Sequence, residues 1–390
     1  MIFSKSFFSL YFIAIFLLLF ASSCTKPSLQ KESFSEVKHN EQFQDASNTK
    51  ENLIFHEQKQ KQDSSLIEQI NEQSSQEQSS QEQSVIDSTP KDSIIVKDKN
   101  NPPPTKSPII QGCKIFPANN AWNTDISKSP IDPNSRALIA SIGANTSLHP
   151  DFGTMWQGVP NGIPYIVVPA NQKKVKITFT YNDESDPSPY PIPKNAPIEG
   201  GKNAQGDRHV LVLQKGPCRL FELYNAFPQN DGSWKADSGA IFDLNNNKLR
   251  PEKWTSADAA GLPILPGLLR YEEVQSGEIK HALRFTVSRS RQAYVHPATH
   301  WASSRTSPNL PPMGMRVRLK ANYSITSFPK TIQIILKAMK KYGMFVADNG
   351  SNWFVSGAPN QKWNDDTLRL LKRLKGKDFE VVKMGKIYTP

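Results

Sequence analysis

His209-Val-Leu-Val-Leu213, Gly216-Pro217 and Arg219-Leu-Phe-Glu-Leu-Tyr224 read together as two strands and the turn that joins them. Both runs are short and rich in branched and aromatic residues, and Gly-Pro is turn chemistry. The same pattern recurs in Ile163-Pro-Tyr-Ile-Val-Val168, Val175-Lys-Ile-Thr-Phe-Thr-Tyr181 and His281-Ala-Leu-Arg-Phe-Thr-Val287. Asn349-Gly350 suits a two-residue type I′ turn, which predicts a hairpin between residues 344–348 and 351–355. Helical spacing is rarer and falls near residues 133–142, 267–275, 329–342 and 365–374. The third of these carries Ile332, Ile335, Leu336 and Met339 on one face. With 30 prolines, many of them in loops, the pattern predicts a mainly β (α+β) fold. The expected core is a two-sheet β-sandwich or jelly roll, with a few peripheral helices and long Pro-rich loops.

Outward from these strands, residues 111–390 form one globular domain by composition. Residues 24–110 are mostly Gln, Ser, Glu, Lys and Asn, with a Glu-Gln-Ser-Ser-Gln repeat and Pro102-Pro103-Pro104 before the domain. Such a segment has too little apolar surface to offset its chain entropy, so it reads as a disordered linker. As a random coil it spans about 50 Å.

Residues 1–23 have the layout of an export signal. Lys5 is a positive start, Phe7 to Phe20 an apolar core too short for an ordinary spanning helix, and Ala21-Ser22-Ser23 the small residues before Cys24. This arrangement resembles a bacterial lipoprotein cleavage site. The resemblance implies removal of residues 1–23 and lipidation of Cys24, which anchors the chain in a membrane. Thr25 stands where an aspartate would retain the protein in the inner membrane, so the expected location is the outer membrane or cell surface, facing the periplasm or beyond. The other reading is a simple secretory signal with Cys24 as a bystander, since Ala21 stands where such sites most often carry Leu.

Residues 1–110 hold 11 Lys+Arg and 14 Asp+Glu, while the remainder holds 36 and 22, a net charge near +14 on the folded part. That excess favours an anionic partner such as an acidic envelope polysaccharide. No recognition motif for nucleic acid is present, and no nucleic-acid partner is expected. The alternative is a basic surface without a special partner. Of three cysteines, Cys113 and Cys218 remain after Cys24. In an oxidising exported compartment they are expected to form a disulfide; the other reading is a free thiol, with no His signature beside it. Nothing in the chain sets an oligomeric state.

The motifs of P-loop nucleotide hydrolases, His-Glu-x-x-His zinc proteases, Gly-x-Ser-x-Gly esterases and Cys-x-x-Cys sites are all missing, so no cofactor or metal is expected. Polar constellations remain. Glu199-Gly-Gly201 with Gly206-Asp207-Arg208-His209 would deliver acid, guanidinium and imidazole to the start of a buried strand. There Arg208 could neutralise a substrate carboxylate while His209 or Asp207 moves a proton; the alternative is an Asp–Arg pair that orders a loop. In Trp254 to Pro266, Ser256 or Asp258 reads as a cap. His281, Arg284, Tyr294, His296, His300 and Trp301 suggest a saccharide groove of imidazoles and aromatic faces. His296 and His300 have the spacing of a helical zinc site, but Pro297 and the missing Glu oppose it. In Asp348 to Trp353, Asp348 is a candidate acid or base and Trp353 a candidate platform on a hairpin turn.

Ile115-Phe-Pro, His149-Pro-Asp-Phe-Gly153, Gly206-Asp-Arg-His209, Trp254 to Pro266 and Tyr342 to Gly350 resemble a widespread family of exported bacterial proteins. The resemblance spans residues 113–383. It implies one integral domain and a Cys113 to Cys218 pair, and it transfers no catalytic residue. The residues themselves favour an enzyme acting on an anionic or other cell-envelope polysaccharide. As a lyase, Arg208 would face a uronate and His209 or Tyr294 would take the proton. As a hydrolase, two of Glu199, Asp207, Asp258 and Asp348 would act as acid and base or nucleophile. The competing class is a non-catalytic, glycan-binding or structural envelope lipoprotein.

Overall fold

The computed structural model describes residues 107–390. The export signal, Cys24 and most of the linker lie outside the described residues. Among those described, no helix is long and apolar enough to cross a membrane.

Strands dominate, as the alternating patterns predict. A four-stranded sheet has the order β12 (Ser238–Asp243), β9 (Arg219–Tyr224), β8 (Val210–Gln214), β6 (Tyr165–Val168). The β8–β9 hairpin turns at Gly216-Pro217, with Gln214 opposite Arg219. Every residue of β8 is buried, because both faces of this sheet meet apolar material. Leu211 and Leu213 join Leu220, Ala240 and Phe242 in the main core. Val210 and Val212 point the other way and join Phe221, Leu223, Ile177 and Trp234 in a second cluster. That cluster is closed by a three-stranded sheet of β10 (Phe227–Pro228), β11 (Trp234–Ala236) and β7 (Ile177–Phe179).

The main core is closed by a six-stranded sheet. Its order is β18 (Phe379–Val381), β15 (Arg316–Leu319), β16 (Met344–Asn349), β13 (Leu283–Val287), β17 (Phe354–Ser356), β3 (His149–Asp151). The two larger sheets thus share one core, in keeping with a mainly β fold. The helices are few: α1 (Ser135–Ile142), α2 (Tyr271–Ser276), α3 (Lys330–Lys341) and α4 (Asp365–Arg369). In α3, Ile332, Ile335, Leu336 and Met339 are buried on the core face, as their spacing predicts.

One local prediction fails. Asn349-Gly350 does not close a hairpin, because β13 lies between β16 and β17, parallel to the first and antiparallel to the second. Residues 350–353 arch over the end of β13: Gly350 N–H donates to Val287 O at 2.9 Å, and Thr286 Oγ1 donates to Ser351 O at 2.6 Å. The arch returns through Trp353 at a φ of 63°.

Three small antiparallel pairs complete the strands. β1 (Ile109–Ile110) pairs with β2 (Cys113–Lys114), so the fold takes in two residues assigned by composition to the linker. β4 (Met155–Trp156) pairs with β5 (Val159–Pro160), and β14 (Tyr294–Val295) with β19 (Ile387–Tyr388). Cys113 and Cys218 form a disulfide across a separation of 105 residues. By the chain-entropy estimate such a loop closure contributes up to about 4.7 kcal/mol. It ties the start of the domain to the β8–β9 turn.

Candidate functional site

The central charged group is assembled from strand ends and one loop. β13 supplies Arg284, β16 supplies Asp348, and β17 supplies Ser356. The loop of residues 254–266 brings Asp258 over them. Ser256 closes that loop: its Oγ accepts from the Asp258 amide at 2.9 Å and donates to Leu262 O at 2.6 Å. Gly261 lets the loop press against its neighbour, since a Cβ there would meet Thr299 Oγ1 at 2.2 Å, and its φ of +71° favours glycine.

Asp258 is fully buried and Arg284 nearly so. The guanidinium grips both carboxylate oxygens, at 3.2 and 2.9 Å, and gives its third arm to Ser356 Oγ at 2.6 Å. Asp348 and Asp258 each act on the other's carboxyl. Desolvation raises both carboxyls. Arg284 draws the negative charge onto Asp258, so the proton belongs to Asp348, which desolvation and then the charge on Asp258 push up to about 8. Asp348, on a partly exposed residue, therefore holds its proton more tightly than an ordinary aspartate.

A histidine–carboxylate pair adjoins this acid. His209 is buried, its Nδ1 lies 2.5 Å from Glu199 Oε2, and its Nε2 lies 3.0 Å from Ala257 O. Two acceptors on two ring nitrogens require the imidazolium form. Burial opposes that charge, but Glu199 outweighs it and carries His209 up to about 9. Glu199 itself, raised by burial, is held below the ordinary glutamate range by His209. Asp207 is exposed, and its charge acts on His209, Asp348 and Asp151. Asp151 sits opposite Ser356 in the β3–β17 pair and is raised by desolvation first and by Glu199 next. Carboxyls outnumber cations in this field.

The sequence-named residues divide accordingly. Glu199, Asp207, His209, Asp258, Arg284 and Asp348 come together. Arg208 does not join them: at a φ of 50° its guanidinium turns away and donates to the carbonyls of Ala226, Lys202 and Ala204, with Phe227 4.2 Å beneath it. His281 is fully buried in a separate group with Arg270 and Glu273. Trp353 belongs to the core, with Phe285 and Phe379 stacked on it at 5.2 Å and its indole N–H on Gly143 O, so it offers no platform to a ligand.

Tyr294, His296 and Trp301 lie in a file of rings with Tyr388, and Glu252 accepts from both the Tyr294 hydroxyl and His296 Nε2. His300 stacks beside Trp301 and bonds Ala259 O at 2.8 Å, which ties this file to the Asp258 loop. Burial and then Glu252 raise the Tyr294 hydroxyl well above its ordinary range, the wrong direction for a base.

Glu222 escaped the sequence reading. It is fully buried on β9, accepts the backbone N–H groups of Ile264 and Leu265 at 2.9–3.0 Å, and is pushed by burial up to about 7. It anchors the far end of the loop that carries Asp258. Its only signal was a lone acid inside the apolar run Leu220 to Tyr224.

Among the described residues, one group has the donor types and spacing of a metal centre: Glu199, Asp207 and His209 place one ligand atom each within 4.8 Å of one another. In this arrangement the His209 Nδ1 proton and a cation exclude each other, since both would lie between that nitrogen and Glu199. A small cleft elsewhere, of about 330 Å³, is lined by Tyr165, Tyr271, Glu272 and Asn360, apart from the acid group. Comparison of the chain with protein-family models, with curated proteins and with solved structures finds no match.

Proposed function

We propose that this chain is an exported, lipid-anchored glycoside hydrolase of the cell envelope, with Asp348 as its general acid. The observation that carries the reading is the split between two neighbouring carboxyls. Asp258 is gripped as a carboxylate by Arg284, and burial and that charge raise Asp348 above the ordinary aspartate range. A carboxyl raised in this way supplies the proton that acid-catalysed glycoside cleavage needs. Asp348 gives its proton to the glycosidic oxygen as the bond from that oxygen to the anomeric carbon breaks. Asp207, the exposed carboxylate in the same field, takes a proton from the attacking water, whose oxygen bonds to the anomeric carbon. The products are two shorter chains, one with a new reducing end.

A lyase draws less support, because Arg208 is engaged by three carbonyls and Arg284 by Asp258 and Ser356. The net charge near +14 on the folded part favours a second reading, a non-catalytic domain that holds an anionic envelope polymer.

Release of reducing ends from a panel of acidic and neutral polysaccharides separates the two. Asp348→Asn should lower turnover by on the order of 10²–10⁴-fold. Equal turnover by this variant and the native protein removes Asp348 from the chemistry. If neither cleaves any substrate while binding weakens with salt, the binding domain stands instead.

A further inference from the structure

Among the described residues, seven large apolar side chains are exposed, Met155, Trp156, Tyr181 and Phe227 among them. Trp156 stands out at 65 % exposure. It sits on the β4–β5 hairpin, whose turn residues Gln157 and Gly158 have φ of 49° and 83°, the backbone of a two-residue type I′ turn. The hairpin is fixed at its base. Gly153 N–H donates to Asn161 O at 3.0 Å, and Thr154 donates to Asp365 through its amide at 3.0 Å and its hydroxyl at 2.5 Å.

The course of the chain and one contact place this hairpin beside the acids. It begins four residues after Asp151, which feels the charges of Glu199, Asp207 and Arg284. Its Val159 lies against Gly201, two residues past Glu199, where an added Cβ would come within 3.3 Å. Tyr181 and Asp207 both act on Tyr224, which itself feels Asp348.

An aromatic face beside a group of hydrogen-bonding carboxyls matches the two sides of a sugar ring, apolar C–H faces and a polar hydroxyl edge. With the proton on Asp348, four other carboxyls (Asp151, Glu199, Asp207, Asp258) face two cations, His209 and Arg284, so the local charge opposes a uronate. We propose that Trp156 is the stacking platform of a subsite for an uncharged pyranose of the glycan, beside the acid group. This inference rests on the glycan reading above and names its substrate class as neutral, in contrast to the anionic class suggested by overall charge.

The test is binding to the full chain, in native and Asp348→Asn backgrounds, by calorimetry and tryptophan fluorescence. The probes are the hexamer of N-acetylglucosamine, cellohexaose and hexagalacturonate. At least one uncharged hexamer should bind, Trp156→Ala should weaken it by roughly tenfold or more, and Trp156→Tyr should retain most of the affinity. Hexagalacturonate binding should not respond to Trp156→Ala. The subsite is overturned if Trp156→Ala binds the neutral hexamers as the native chain does, or if neither binds at millimolar concentration. Loss of turnover in Asp348→Asn with unchanged binding in Trp156→Ala removes the subsite alone. Trp156-dependent binding with no effect of Asp348→Asn on turnover removes the catalytic assignment alone.

Discussion

Arg270, Glu273 and His281 form one buried ionic group in this domain; Asp258, Asp348 and Arg284, with Glu199 and His209, form another. In the first, the one guanidinium has one carboxylate as its partner. Arg270 donates to Leu265 O, Leu268 O and Glu273 Oε1, and the second Glu273 oxygen lies 3.0 Å from His281 Nε2. In the second, acids exceed cations, one of them keeps its proton near neutral pH, and Asp207 opens the group to solvent. Burial of charge is common to both, so burial does not mark function. The unbalanced proton does.

Unequal responses to removing one charge give the largest expected contrast in stability. Glu273→Gln leaves Arg270 buried without its counter-charge and should destabilise the fold by about 3–5 kcal/mol. Asp348→Asn replaces a protonated carboxyl with an uncharged amide of the same shape and should change stability by less than about 1 kcal/mol. Urea unfolding of the two variants checks this order, and the reverse order would place the matched group at Asp348.

A smaller effect should appear as a pH dependence. Asp348 and His209 both have folded values raised above their ordinary ones, to about 8 and about 9. Each therefore contributes stability that is fully present below its unfolded value, about 3.9 for Asp and 6.5 for His, and that is lost as pH rises through the folded value. Stability measured by urea unfolding should fall from about pH 4 to about pH 9, with the His209 share confined to about pH 6.5 to 9. Glu199→Gln should flatten the part due to His209, since Glu199 is what holds that proton. A slope unchanged by Glu199→Gln would separate His209 from its carboxylate.

Much of the scaffold was legible because its signals are local. The β8–β9 hairpin follows from two apolar runs around Gly216-Pro217, and α3 from its apolar spacing. The insertion of β13 between β16 and β17 was not legible, since Asn349-Gly350 carries turn chemistry whatever strand lies beyond it. At the site, the Gly-rich stretch pointed to Glu199, Asp207 and His209, but which side chain of Asp207-Arg208-His209 turns inward depends on the left-handed backbone at Arg208. Asp258 reads as a cap and Glu222 as a lone acid because their partners lie 26 and 42 residues away along the chain. Trp156 carries no sequence signal of its own; its exposure on a fixed hairpin is visible only in three dimensions.

The protonation of Asp348 is the centre of the proposed chemistry, and its carboxyl carbon reports it directly. In a ¹³C-aspartate-labelled sample, with Asp348→Asn used to assign the resonance, the Asp348 carboxyl should titrate with a midpoint near 8. A midpoint near 4, the ordinary aspartate value, would make Asp348 an ionised carboxylate at neutral pH and contradict its role as the acid.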